Sequence, residues 1–184
     1  VISEHRINDR ENNEISMNLG YNISPNSSAR VNALYAVQDS PTSVSRITNN
    51  LRSTANALTT EKEDNPSDRD NWEVGGDYEL TLASGSRFKL LGIANQNNQN
   101  STRERFKLND DNVFENNLFL NNDRIIQERI VRGSYTMDVF SEQSIEFGVE
   151  GAQTILDSKL ALGLLSSTGT PSAAVGGLVP QNVS

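Results

Sequence analysis

The chain has 184 residues, a formal net charge of -8 and no cysteine, and 35% of its residues are hydrophobic. The charge argues against a nucleic-acid partner, since no Lys/Arg stripe offsets it. The missing thiols exclude disulfides and thiolate metal sites.

Residues 1–13 read as a polar lead-in to a first hairpin over 14–38, turning at Ser24-Pro25-Asn26-Ser27-Ser28. Its apolar set Ile15, Met17, Leu19, Tyr21 and Ile23 mirrors Ala29, Val31, Ala33, Tyr35 and Val37 about Asn26. Residues 39–70, rich in Ser, Thr, Asn and Asp with Pro41 and Pro66, read as a long loop. A second hairpin over 71–95 turns at Ser84-Gly85-Ser86, mirroring Trp72, Val74, Tyr78, Leu80 and Leu82 onto Phe88, Leu90, Gly92 and Ala94. This register sets Gly92 opposite Tyr78. A second long loop is expected over 96–123. The third hairpin, 124–164, turns at Ser141-Glu142-Gln143 and sets Gly133 opposite Gly151 and Asp138 opposite Glu146. The tail 165–184 is Ser/Gly/Pro-rich and reads as loop, and both ends of the chain read as cuts in a longer polypeptide.

Strand alternation has a period of two, so each hairpin sorts its residues onto one apolar and one polar face. The polar faces carry Glu14, Arg30, Glu73, Asp77, Glu79, Lys89, Arg132, Asp138, Glu146 and Glu150. An Arg or Lys turned toward mid-bilayer lipid costs about 2–4 kcal/mol, so this face would need a wet lumen or a polar plug. Tyr21, Tyr35, Trp72 and Phe88 lie near the ends of the apolar stripes, where an interfacial girdle would place them, with Tyr78 and Tyr135 further in. Turn centres at 26, 85 and 142 give a strand–turn–strand–loop unit close to sixty residues long. Tight turns at one edge and long loops at the other are the asymmetry of outer-membrane barrels. The expected fold is therefore all-β: an antiparallel up-and-down meander of about six strands, part of a larger transmembrane β-barrel that spans 1–184 as a partial segment.

Asn13–Gln38, Trp72–Ala94 and above all Ser144–Leu164, which opens Ser-Ile-Glu-Phe-Gly-Val-Glu-Gly, resemble barrel segments of TonB-dependent outer-membrane receptors. The resemblance covers most of the chain outside the loops. It implies a Gram-negative outer-membrane location and a parent barrel of 22 strands filled by a plug domain. It also implies import of a scarce nutrient (siderophore-iron, cobalamin or carbohydrate) driven through TonB. The partners expected on that basis are outer-membrane lipid, the plug domain of the same parent chain, TonB through the parent protein and a small nutrient ligand. A soluble β-sandwich binding module and a porin-type diffusion barrel are the alternative readings.

No catalytic constellation, cofactor site or metal site can be named from the residues, and an enzyme is not expected. His5 lies in a polar stretch without a nucleophile and an orienting group beside it in sequence. The carboxylate clusters at Asp64–Asp70 and Asn109–Asn112 lack the glycine and closing glutamate of a helical calcium loop. The candidate ligand contacts are Arg46, Arg52, Arg103 and Arg105, placed in the expected outer loops, where guanidinium groups would meet an anionic ligand such as a ferric siderophore.

Overall fold

The computed structural model describes residues 1–51, 57–140, 143–163 and 181–183. They form one antiparallel sheet without helix. Its strands are β1 (Ile2–Asn8), β2 (Glu11–Ser24), β3 (Ser27–Asp39), β4 (Thr42–Asn50), β5 (Ala57–Asn65) and β6 (Ser67–Thr81). They continue with β7 (Arg87–Leu108), β8 (Phe114–Phe140), β9 (Gln143–Gly163) and β10 (Gln181–Val183).

Nine of these strands trace only six paths. β1 runs into β2, β3 into β4 and β5 into β6, each across a break of one or two residues: Asp9-Arg10, Ser40-Pro41 and Pro66. Register carries straight through the breaks. Asn8 pairs Thr42 above the first one and Glu11 pairs Asp39 below it; likewise Thr42 pairs Asn65 and Asp39 pairs Asp68. The cause is local, because Pro41 and Pro66 have no N–H to give to the ladder. Both still accept, from Asp9 N–H (3.1 Å) and Thr102 N–H (2.9 Å). The lower sheet, nearer the tight turns, runs β2-β3-β6-β7-β8-β9, and the upper sheet runs β1-β4-β5-β7-β8-β9. It is an up-and-down meander, and it does not close among the described residues.

Two sequence expectations are corrected here. The described residues of the segments 39–70 and 96–123 are not long loops: they form β4, β5, the start of β6 and, either side of a turn at 109–113, the upper halves of β7 and β8. Their apolar residues, among them Val44, Ile47, Phe106 and Phe119, are scattered among polar ones without a sustained alternation to announce a strand. His5 likewise lies in β1, paired with Ser45, and not in a loop.

The second correction is a two-residue slip in all three hairpins. Leu19 faces Val31, Gly92 faces Gly76, Gly133 faces Val149 and Gly151 faces Val131. Tyr78 therefore faces Leu90, and Asp138 faces Ser144 while Glu146 faces Thr136. The slip has its origin in the turns. In the second hairpin Leu82 N–H donates to Ser86 O, and Gly85 takes the left-handed φ of 86° that closes a three-residue loop centred on Ser84. A shift of two leaves every side chain on its expected face. The third turn's Ser141 and Glu142, and the tail up to 180, lie outside the described residues.

One face of the lower sheet is apolar and bare. Ile15 is 71% exposed, Tyr21 69% and Val149 76%, and the only buried hydrophobic residues among those described are Ala36, Val44 and Phe119. No second layer covers this face among the described residues, so the sheet has no core of its own. Along β6 and one residue past it the band runs from Trp72 to Leu82, ten steps or about 33 Å of strand, which the roughly 40° tilt usual for barrel strands would project to about 25 Å.

From β3 to β8 the band's upper limit slopes across the strands, whereas on β2 it falls at Asn13, opposite Val37, and on β9 at Gln153, level with Arg129. The first polar residue beyond it is Asp39 on β3, Asp70 on β6, Gln96 on β7 and Arg129 on β8. Asp39 pairs Asp68, Asp70 pairs Asn98, and Gln96 pairs Gln127. Each limit thus lies two residues nearer the tight turns than the one before. Two residues rise about 6.6 Å against a strand spacing of about 4.8 Å, the order of stagger produced by strands tilted through a flat slab.

Candidate functional site

Above the breaks, alternation on the face opposite the apolar band gathers charged groups from β1, β4, β5 and β7. Glu4 pairs Arg46, Arg46 pairs Glu61, and Glu63 pairs Arg105 in register, while Arg103 stands two residues along β7. Arg46 donates through Nε and Nη2 to Glu4 Oε2 at 3.1 and 3.0 Å. Its Nη1 lies 3.5 Å from Glu63 and 3.6 Å from Glu61. Arg103 grips Glu63 with both prongs of its fork, Nε at 3.0 Å and Nη2 at 2.9 Å. Arg105 donates to Asn117 Oδ1 at 2.9 Å and stands 4.0 Å from Glu61.

Glu63 is the pivot. Only 5% of it is exposed, although it is a carboxylate in a strand without an apolar cover. Burial of a charge is tolerated only with paired and hydrogen-bonded partners; here Arg103 supplies two hydrogen bonds and Arg46 an ion pair at 3.5 Å. The Arg103 hydrogen bonds hold its carboxyl below the usual carboxylate range against the opposing pull of desolvation. Arg46 does the same for Glu4, and the guanidinium groups of Arg46 and Arg103 are raised in turn.

Three of the four arginines singled out in the sequence, Arg46, Arg103 and Arg105, therefore share one cluster, with Arg52 outside the described residues. They do not project from loops. The carboxylates Glu4, Glu61 and Glu63 escaped sequence reading because the prolines hid the continuing register. A cavity of about 390 Å³ opens beside the cluster, lined by Arg6, Arg46, Glu63, Asn65 and Arg103 among others. Four guanidinium groups (Arg6, Arg46, Arg103, Arg105) face three carboxylates (Glu4, Glu61, Glu63), which leaves one surplus positive charge. An anion entering the cavity meets arginines already engaged, and must compete with Glu4 and Glu63 for them.

Lower on the same face, at the depth of the apolar band, Arg30 holds Asp77 through three contacts of 2.9–3.1 Å, and Arg132 pairs with Glu150. Glu14, Glu73 and Glu146 make no ion pair among the described residues. The two carboxylate segments that lack the features of a calcium loop gather no common site. Asp64 and Asp68 fall on different strands either side of Pro66, and Asn109 spends its side chain closing the β7–β8 turn on the N–H groups of Asp111 and Val113. No group of three or more metal-ligating side chains occurs among the described residues.

No helix among the described residues is long and apolar enough to cross a membrane, which has no bearing on a chain that would cross with strands. No family model and no curated protein matches the chain.

Proposed function

We propose that this chain is a section of the wall of a large outer-membrane transport barrel, of the kind its resemblance to TonB-dependent receptors implies. The observation that carries this reading is the apolar band: bare, confined to one face of the lower sheet, and sloped from β3 to β8; the tilt usual for barrel strands would make it about 25 Å tall. A soluble protein would bury such a face, and an exposed apolar surface of this size in water is an association hazard. A lipid slab cuts tilted strands along such a slope. Below the slope one face is apolar; above it that contrast is lost and polar residues predominate, as for strands that leave the hydrocarbon and continue into water.

In this reading the tight turns at Pro25-Asn26 and Ala83-Ser84-Gly85 face the periplasm, and the upper strands stand outside the cell. The polar face lines the lumen, where Arg30, Asp77, Arg132 and Glu150 meet water or the plug of the parent chain. The Arg46–Glu63–Arg103 cluster then sits on the inner wall of the outer vestibule, on the route of an anionic nutrient ligand such as a ferric siderophore. The wall contributes no chemistry of its own; it binds and orients, and energy comes through TonB by way of the parent protein.

Trp72, the only tryptophan, provides the test. It sits at the band's upper limit, so its fluorescence should be quenched in bilayers whose lipids carry bromine near the headgroup, more than by bromine at the chain ends. Emission unaffected by bromine at either depth would refute the membrane reading.

A further inference from the structure

Beyond the lumen, the outward face carries a feature that the transport reading leaves unused. Arg129 stands on the band's own face of β8, one alternation past Val131, where the apolar stripe ends. It is exposed and makes no ion pair among the described residues. Its register partner on β9 is Gln153, also exposed and without a hydrogen bond among the described residues. On the other side Ala94 offers nothing polar.

The next carboxamides along the border are committed elsewhere. Gln127 donates to Gln96 (2.8 Å), Gln96 to Asn98 (2.9 Å) and Asn98 to Asp70 (2.8 Å), a relay that leads away from Arg129. The nearest carboxylate above it on this face of β9, Asp157, lies four residues beyond Gln153. Arg129 and Gln153 are thus a cation and an amide with unspent donors, side by side at the rim of an apolar surface.

Directly below them the surface is hollow. A side chain added at Gly133 or Gly151 would meet nothing within 4 Å. A cavity of about 350 Å³ opens on this face between Phe88, Gly133, Tyr135, Phe147 and Val149. From Arg129 to Gly133 is four residues, about 13 Å along the strand.

We infer that this is a binding site for one phosphorylated lipid. The phosphate sits on the Arg129 guanidinium, whose fork fits phosphate oxygens, with a further hydrogen bond from Gln153. One acyl chain runs over Gly151 and Gly133 into the aromatic-walled cavity. Charge complementarity singles out the phosphate: an uncharged headgroup leaves the guanidinium at the hydrocarbon border without a counter-charge, a costly state. The inference rests on the membrane reading.

The test compares two probes that differ only in the phosphate, dioleoyl phosphatidic acid and dioleoylglycerol. Each is added to micelles holding the full chain, and bound lipid is counted by native mass spectrometry. The intact chain should retain phosphatidic acid roughly fivefold better than dioleoylglycerol, and Arg129→Gln should abolish that preference. Gly133→Leu should reduce retention of both lipids alike. Equal retention of the two probes, or a preference untouched by Arg129→Gln, overturns the phosphate seat; unchanged retention in Gly133→Leu overturns the acyl seat. Either result alongside quenching of Trp72 by brominated lipid refutes this site alone, whereas absence of quenching refutes the membrane reading beneath it.

Discussion

Glu63 and Arg103, forty positions apart, are joined by two parallel hydrogen bonds of 3.0 and 2.9 Å, and this pair ties β5 to β7 at the top of the sheet. The apolar band does not reach that height, so ion pairs and backbone ladders are what hold the upper strands together. Replacing Arg103 by Ala should cost about 1–2 kcal/mol, more than a surface pair, because it strands a buried carboxylate. The urea midpoint in detergent measures it.

The same pair sets a pH dependence. Arg103 lowers the folded-state pKa of Glu63, so its stabilisation is complete above the ordinary carboxylate range and is lost as pH falls through the lowered value. Stability followed downward from neutral pH should fall in that acidic window. Glu63→Gln should flatten that part of the profile while lowering stability at neutral pH.

Leu80 and Thr81 are adjacent and face opposite ways on β6. Leu80→Arg puts a cation into the apolar band, which in the proposed orientation faces lipid, at a cost of about 2–4 kcal/mol at mid-depth. Thr81→Arg points the same group to the polar face. Assembly into the outer membrane, read as heat-modifiable migration on gels, should fail far more often for Leu80→Arg. Equal assembly of the two would count heavily against the proposed orientation.

Neighbouring glycines should respond differently to alanine. A Cβ at Gly75 would lie 2.8 Å from Asn32 Oδ1 on the polar face, whereas at Gly92 it would meet nothing within 4 Å. Gly75→Ala should therefore destabilise unless the Asn32 amide swings aside, and Gly92→Ala should be neutral or mildly stabilising, since alanine narrows the conformations open to the unfolded chain. Thermal melting of the two variants in one detergent decides the order.

Gly85 is a separate case, since its φ of 86° is a conformation that L side chains resist. Gly85→Ala should cost about 1 kcal/mol and slow pairing of β6 with β7. Gly85→Asn should recover part of the loss, because asparagine tolerates the left-handed region.

The faces of the lower sheet were legible because alternation records them directly: Leu19, Val31, Val74, Leu90 and Val131 all stand where their parity puts them. Register was legible only to within two residues. Parity cannot tell Leu19–Val31 from Leu19–Ala33, and the choice lies in turn geometry, such as the left-handed Gly85. The upper strands were not legible at all. In Asn95–Ser101 neither face is apolar, so nothing in the residues separates a strand from a polar loop. For the cluster, the arginines drew notice as charges, while Glu63 became its centre only once β5 was known to lie between β4 and β7.

The breaks at Asp9-Arg10, Ser40-Pro41 and Pro66 lie side by side across three strand paths, and the two prolines accept from their neighbours without donating back. Such a line works as a perforation in the fabric. Fraying that starts at the rim meets it before it reaches the apolar band, and tearing there leaves the lower ladder whole. The rim strands β1, β4 and β5 can therefore part and re-pair without loosening the lower sheet, which in the proposed barrel is the wall against lipid. Amide exchange should divide at this line, with β4 and β5 trading protons well before β3 and β6.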